Sequence, residues 1–199
     1  MAVVRHSSSA GESTPSFVLF RPLGRGDADA VRSLGRSCFP VEYPDSFWEA
    51  FTLRPDLFST IGVINGASTS LFGLLVIRAG VDDESEAALL GAFAKVLSIP
   101  RRRKIILQVF YISTFCIGFE HRHEGLGRDL LRRAICHFRA TAPRGSLMYL
   151  HVRVDNGAAI RLYDSIGFTR GDVVTNFYFD PSIASFDGSP HAALYYIIF

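Results

Sequence analysis

The residues best placed to do chemistry lie in one run, Arg122-His123-Glu124-Gly125-Leu126-Gly127-Arg128. It follows a long apolar stretch and opens a segment that carries Leu130, Leu131, Ala134, Ile135 and Phe138 at helical spacing. A helix start exposes backbone N–H groups with no intrahelical partner and the positive end of the helix dipole. Glycine at 125 and 127 removes side-chain bulk there, so phosphate oxygens can come close to the main chain. Arg128, and Arg122 upstream, can add charge-assisted hydrogen bonds. The spacing is not the dinucleotide fingerprint G-x-G-x-x-G, because Leu130 stands at the third position, and G-K-[ST] of a P-loop is absent. Two readings follow: a cradle for a phosphate-bearing ligand other than a dinucleotide, and a tight strand-to-helix turn with no ligand. Other reactive residue types form no centre. There is no G-x-S-x-G. His121 and His123 sit in a charged turn, read as solvated, without further ligands at zinc-site spacing. Cys116 reads as a small core residue.

The elements that must position this run can be placed from the pattern. Phe17 to Arg21 predicts a strand, and Asp27 can cap a helix carrying Val31, Leu34 and Cys38. The prolines of Phe39-Pro40-Val41-Glu42-Tyr43-Pro44 stop that helix. Ser46 and Glu49 have capping-box spacing for the next one. Phe58 to Ile64 and Leu71 to Arg78 predict a hairpin turned at Asn65-Gly66. An arm follows, with a helix expected over Glu86 to Leu97 and a basic run from Arg101 to Lys104. A long strand is expected over Ile105 to Ile117, a helix from about Gly127 to Arg139, a strand over Leu147 to Val154 and a helix over Gly157 to Ser165 capped by Asp155 or Asn156. A strand ending near Phe179, a loop over Pro181 to Pro190 and a last strand over Leu194 to Phe199 complete the order. A hairpin followed by strand–helix–strand units places a partly parallel sheet among helices.

Composition narrows the class. The chain has 199 residues, 48% apolar and 20% charged, enough for one domain with a full core. A net charge of +2 gives no bias toward nucleic acid. Residues 1–16 are polar and Ser-rich and read as a flexible leader, with no secretory core. The most apolar runs, Leu71 to Ile77 and Ala192 to Phe199, are far shorter than the roughly 20 residues a membrane helix needs. Three cysteines, Cys38, Cys116 and Cys136, lie far apart without C-x-x-C spacing and fit a reducing compartment.

Arg122-x-x-Gly125-x-Gly127 resembles the R/Q-x-x-G-x-G/A signature of the GNAT acetyltransferases. Four further segments extend the resemblance in family order. They are Phe39-Pro40-Val41-Glu42-Tyr43-Pro44-Asp45-Ser46, Tyr111-Ile112, Tyr149-Leu150-His151-Val152, and Asn156 with Ala159-Ile160-Arg161-Leu162-Tyr163 ahead of Gly167-Phe168. Together, from about Phe17 onward, they are similar to NatF-type protein N-alpha-acetyltransferases and, less closely, to the NatE-type catalytic subunit. The resemblance implies an α/β GNAT fold: a mixed, mostly antiparallel seven-stranded sheet with a parallel central splay, flanked by about four helices. It implies one domain over residues 17–199 with an insertion at about 81–104, and a monomer.

The same resemblance implies roles. Acetyl-CoA is the co-substrate, held by Ile117, Arg122, Gly125, Leu126, Gly127, Arg128, Asn156 and Tyr163. Tyr111 and His151 fall where the family has its general-base pair. Phe39, Pro40, Val41, Glu42 and Tyr43 fall on the substrate wall, and Phe177 and Tyr178 in a loop that closes over the peptide. Gly157 stands where NatF-type enzymes commonly have a second Asn, and Asn176-Phe177-Tyr178 where they have a run of tyrosines. No metal is implied. The substrates would be protein N-termini with Met before an apolar residue or Lys, with protein lysines, including histone tails, as a side activity. The place of action would be a cytoplasmic face, Golgi- or otherwise membrane-associated in a longer form.

The residue types suit that chemistry. Attack on a thioester needs a neutral amine, and an α-amine has a reference pKa of about 7.7–8.0 against about 10.4 for lysine. The gap corresponds to about 3.4 kcal/mol, so an N-terminus loses its proton with far less help. A histidine near pKa 6.5 can accept that proton, while tyrosine, at about 10, suits an oriented relay or a donor to the leaving thiolate. Backbone N–H groups near Phe115 to Ile117 can hold developing negative charge. Bland readings stand beside these, with Tyr111 as a core tyrosine and His151 as a structural histidine. Two other functions stay open: a GNAT enzyme for small amines, and an acyl-CoA-binding module without turnover.

Overall fold

The computed structural model describes residues 3–5, 17–39, 41–66, 70–80, 108–179 and 188–199. The chain divides into two compact units, one formed by Met1–Arg78 with Ile112–His137 and the other by Ala79–Tyr111 with Phe138–Phe199. The expected helix at Glu86 to Leu97, the rest of the 81–104 insertion, Pro40 and most of the Pro181–Pro190 loop lie outside the described residues.

The first unit carries β1 (Val3–Arg5), β2 (Phe17–Pro22), α1 (Ala28–Cys38), α2 (Asp45–Leu53), β3 (Phe58–Asn65), β4 (Leu71–Ala79), the second part of β5 (Val109–Ile117) and most of α3 (Leu126–Thr141). Its strands follow the order β1-β2-β3-β4-β5. β2 pairs antiparallel with β3 from Val18↔Asn65 to Pro22↔Ile61, and β3 with β4 from Phe58↔Arg78 to Ile64↔Leu71. Gly118 N–H, just past β5, donates to Phe72 O on β4 at 2.7 Å. β1 falls inside the expected leader and pairs antiparallel with β2, Val3 opposite Leu19 and Val4 opposite Val18.

Two expected caps turn out differently. The Asp27 carboxylate does not cap α1. It accepts two hydrogen bonds from Arg21 at 2.9 and 2.7 Å and one from Gly24 N–H at 2.9 Å. A charge-assisted bidentate pair outbids a neutral backbone donor. Helix α2 starts one residue before Ser46, with Pro44 at the cap position, and Asp45 accepts from Arg32 and Arg36 at 3.1 and 2.7 Å. The core of the unit gathers Val31, Leu34, Trp48, Phe51, Leu74, Val76 and Cys116. Gly35 lets the helices meet, since a Cβ there would collide with the Trp48 ring.

The second unit carries the start of β5, the end of α3, β6 (Leu147–Arg153), α4 (Gly157–Ile166), β7 (Thr169–Val174) and β8 (Ala192–Ile198), in strand order β5-β6-β8-β7. β5 and β6 run parallel, with Val109↔Leu147, Phe110↔Met148 and Tyr111↔Tyr149 in register. β6 and β8 are antiparallel from Leu147↔Ile198 to Arg153↔Ala192. β7 ends at Val174 and not near Phe179, because Asn176 turns the chain with a φ of +57°. Val109, Leu147, Tyr149 and Leu194 form the unit's core, with Tyr111, Tyr196 and Ile198 packed against it. Strands β2 to β8, mostly antiparallel with this parallel pair, and four helices among the described residues agree with the expected fold class. Among the described residues, no helix is long and apolar enough to cross a membrane.

Candidate active site

The glycine run lies in the first unit. After β5, residues Phe119–His121 make a 3-10 turn. Arg122 Nε donates to Ile117 O at 3.1 Å, and its guanidinium sits 5.2 Å from the Phe119 ring centroid. Arg122 therefore ties the turn to the end of β5. His121 is not the solvated residue expected. Its ring stacks on Phe72 with centroids 3.7 Å apart, and its Nδ1 lies 3.7 Å from a Glu124 oxygen. His123 and Gly125 then take φ values of +67° and +83°. Glycine is needed at 125, where an L side chain would be strained, and the position of its absent Cβ faces open space. The first α3 bond runs from Asp129 N–H to Gly125 O at 3.1 Å. The Leu126 side chain is buried and anchors the turn, while Gly125 and Arg128 are exposed. The N–H groups of Leu126, Gly127 and Arg128 thus form the first turn of a helix, where no upstream carbonyl is in reach. An uncovered glycine beside consecutive first-turn N–H groups fits a phosphate group.

The apolar segment after α1 belongs to the same unit. Phe39 sits 5.9 Å from the Trp48 ring and packs on the core. Tyr43 stacks on Phe47 at 4.3 Å and meets Trp48 edge-on at 5.6 Å. Partial burial pushes the Tyr43 phenol up from its ordinary value, so it stays a protonated donor. Val41 is half-buried and Glu42 exposed.

The second unit brings Tyr111 and His151 together. Tyr111 faces Tyr149 across the parallel β5/β6 pair, ring centroids 4.9 Å apart. His151, two residues along β6, shares the Tyr149 face, and its ring lies 5.9 Å from both Tyr111 and Tyr149. Phe177 stacks on the imidazole at 4.1 Å, and Tyr178 Oη donates to the His151 carbonyl at 3.0 Å. Tyr111 and His151 are half-buried, whereas Tyr149 is fully buried. Tyr149, part of the Tyr149-Leu150-His151-Val152 segment, is the ring to which the sequence reading gave no role. The signal was its i, i+2 spacing to His151.

Asn156 and Tyr163 are placed for structure as well. The Asn156 side chain accepts from Ala159 N–H at 3.1 Å and caps α4. Tyr163 is buried beside Phe168 and Tyr195, and burial, with Tyr178 nearby, raises its phenol far above the usual range.

A glycine-opened helix start after a strand, a parallel strand pair bearing Tyr and His, and this strand order define one class of protein. The model of the acetyltransferase (GNAT) family matches residues 28–168, and the chain belongs to that family. It is 30% identical over 165 residues to N-alpha-acetyltransferase 60 of Xenopus tropicalis, an alignment covering 80% of this chain and 63% of that protein. It is 26% identical over 164 residues to histone acetyltransferase MCC1 of Arabidopsis thaliana, covering 80% and 63%. The chain thus spans less than two thirds of the length of these curated relatives. In fold it resembles Arabidopsis thaliana NAA60 in complex with acetyl-CoA, with a TM-score of 0.73 at 21% identity, covering 91% of this chain and 98% of that one.

Proposed function

We propose that this protein is an N-alpha-acetyltransferase, moving an acetyl group from acetyl-CoA to the N-terminal amine of proteins. The observation that carries the reading is the Tyr111–His151 pair. Two groups able to accept or relay a proton sit with ring centroids 5.9 Å apart, on neighbouring strands and both partly open to solvent. Family membership and likeness to proteins named N-alpha-acetyltransferase support it.

Acetyl-CoA, when bound, supplies an acetyl group already activated as a thioester. The main chain at Gly125, Leu126 and Gly127 holds its pyrophosphate, with Arg128 and Arg122 adding positive charge. Ile117 lines the acetyl-bearing arm, and Asn156 and Tyr163 contact it. Phe39, Pro40, Val41 and Tyr43 hold the first residues of the peptide, Glu42 gives that wall a polar group, and Phe177 and Tyr178 close over it. His151 accepts the proton of the amine, directly or through water, and Tyr111 orients that water or donates to the departing thiolate. An α-amine needs about 3.4 kcal/mol less than lysine to reach its neutral form, which favours N-termini over side chains. The preferred N-termini are Met before an apolar residue or Lys, and the site of action is a cytoplasmic membrane face.

Acetyl-CoA turnover on N-terminal peptides, N-terminally blocked lysine peptides and polyamines tests this reading. Peptides starting with Met and an apolar residue or Lys should be the best substrates, and blocked lysine peptides slow ones. Acetylation of polyamines alone would replace the reading with a small-amine enzyme. Binding of acetyl-CoA without turnover on any amine would replace it with a non-catalytic module.

A further inference from the structure

Two cysteines of the first unit have thiols to which the proposed acetyl transfer gives no role. Cys38 is the last residue of α1, directly before Phe39. Cys116 lies one residue from the end of β5 on its buried face, only 8% exposed. Distant in sequence, they are neighbours in the fold: Cys38 packs against the core cluster that contains Cys116, and its S–H donates to the carbonyl of Ile117, the residue after Cys116, at 3.7 Å. Arg122 Nε donates to that same carbonyl, which brings a guanidinium to the edge of the pair. Ser37 Oγ lies 3.8 Å from the Cys38 sulfur. The third cysteine, Cys136, is exposed on α3.

The surroundings give the two thiols different characters. The Cys38 thiol is drawn down to about 6, chiefly because Cys116 S–H donates to it, with Ser37 and the Arg122 charge also acting against the cost of burial. The Cys116 thiol is pushed well up by its sulfur neighbour and by its own burial. A half-buried thiol whose ionisation is favoured therefore sits beside a buried thiol whose ionisation is opposed. A low-lying, reachable thiolate with a second thiol beside it is the arrangement of redox-responsive cysteines. Transient disulfides of this kind occur in reducing compartments.

We propose that Cys38 and Cys116 form a hydroperoxide-responsive dithiol, with Cys38 attacking and Cys116 resolving, whose disulfide fastens the end of α1 to β5. The Cys38 thiolate attacks the peroxide: an S–O bond forms, the O–O bond breaks, and the departing oxygen takes a proton to leave as water or an alcohol. Cys38 is then a sulfenic acid. Cys116 loses its proton and its sulfur attacks Cys38 Sγ: the S–S bond forms, the S–O bond breaks, and water departs. Two thiols have lost two electrons and two protons, which the hydroperoxide has gained. A dithiol reductant reverses the step by exchange. This chemistry stands independently of the acetyl-transfer reading. If that reading also holds, the tether stiffens the start of the Phe39–Tyr43 segment and oxidation slows turnover on peptides.

The test treats the reduced full chain with one equivalent of hydrogen peroxide near neutral pH, followed by intact-mass measurement and peptide mapping. Expected are the loss of two hydrogens, a linked Cys38–Cys116 peptide, a free Cys136, and full reversal by dithiothreitol. In Cys116→Ala, a dione probe should capture sulfenic acid at Cys38; in Cys38→Ser, neither remaining thiol should take it up. Alkylation of Cys38 in the untreated protein should run about tenfold faster than that of Cys136, as expected for a thiol with lowered pKa. The linked peptide needs no variant, so poor folding of Cys116→Ala leaves the test intact. Oxidation of Cys136 while Cys38 and Cys116 stay reduced would overturn the proposal. So would overoxidation of Cys38 in the unsubstituted protein without formation of the linked peptide.

Discussion

Tyr111 and His151 are the residues on which the proposed chemistry turns. Losing general acid–base help typically costs about 10²–10⁴ in rate. Tyr111→Phe and His151→Ala should each lower kcat by about that range, with acetyl-CoA affinity retained in calorimetry. Unchanged rates in both would return the pair to the bland reading, a core tyrosine and a structural histidine. Both were legible in the sequence because their segments match the family in order. Tyr149 lies in the same segment as His151 but received no role, because in a strand of apolar residues a tyrosine looks like packing; the parallel register Tyr111↔Tyr149 gives its place. His121 was misread for a similar reason. Its neighbours in sequence are charged, but its partner, Phe72, comes from another strand.

At the scale of elements, two glycines decide whether the proposed site can form. Gly125 gives the turn before α3 its φ of +83° and leaves open space where a side chain would stand. Gly125→Trp should abolish acetyl-CoA binding; calorimetry showing normal affinity would contradict the pyrophosphate assignment. Gly35 acts in packing. It lies in α1 against the Trp48 ring, on the helix that leads into the apolar Phe39–Tyr43 segment. Overpacking typically costs about 1–3 kcal/mol, and for a chain of this size each kcal/mol lowers Tm by about 2–4 °C. Gly35→Val should therefore lower Tm by several degrees in a thermal melt, whereas an unchanged or higher Tm would mean the helices repack freely. Helix and strand positions were readable from apolar spacing, but the caps of α1 and α2 were not. Asp27 has the right type for capping, yet Arg21 on the preceding strand takes its carboxylate, and the expected cap Ser46 lies inside α2, whose cap position Pro44 holds. A local capping rule has no access to such partners.

For the whole molecule, the family signature was legible because its glycines answer to a local demand, a helix start open to phosphate. The mixed sheet followed from the hairpin and strand–helix order, although the pairing of β8 between β6 and β7 could be known only from the structure. The family match runs over residues 28–168 and takes in residues of both units. The central claim is that the acceptor is the amine at a chain terminus. Its most direct measurement uses one peptide that begins with Met and Lys and has a free N-terminus, incubated with acetyl-CoA and this protein, with fragment-ion mass spectrometry locating the added acetyl group. It should be found on the α-nitrogen of Met, with the lysine side chain unmodified at early times. An acetyl group found first on the lysine ε-nitrogen, or on neither amine while polyamines are acetylated, would contradict the account.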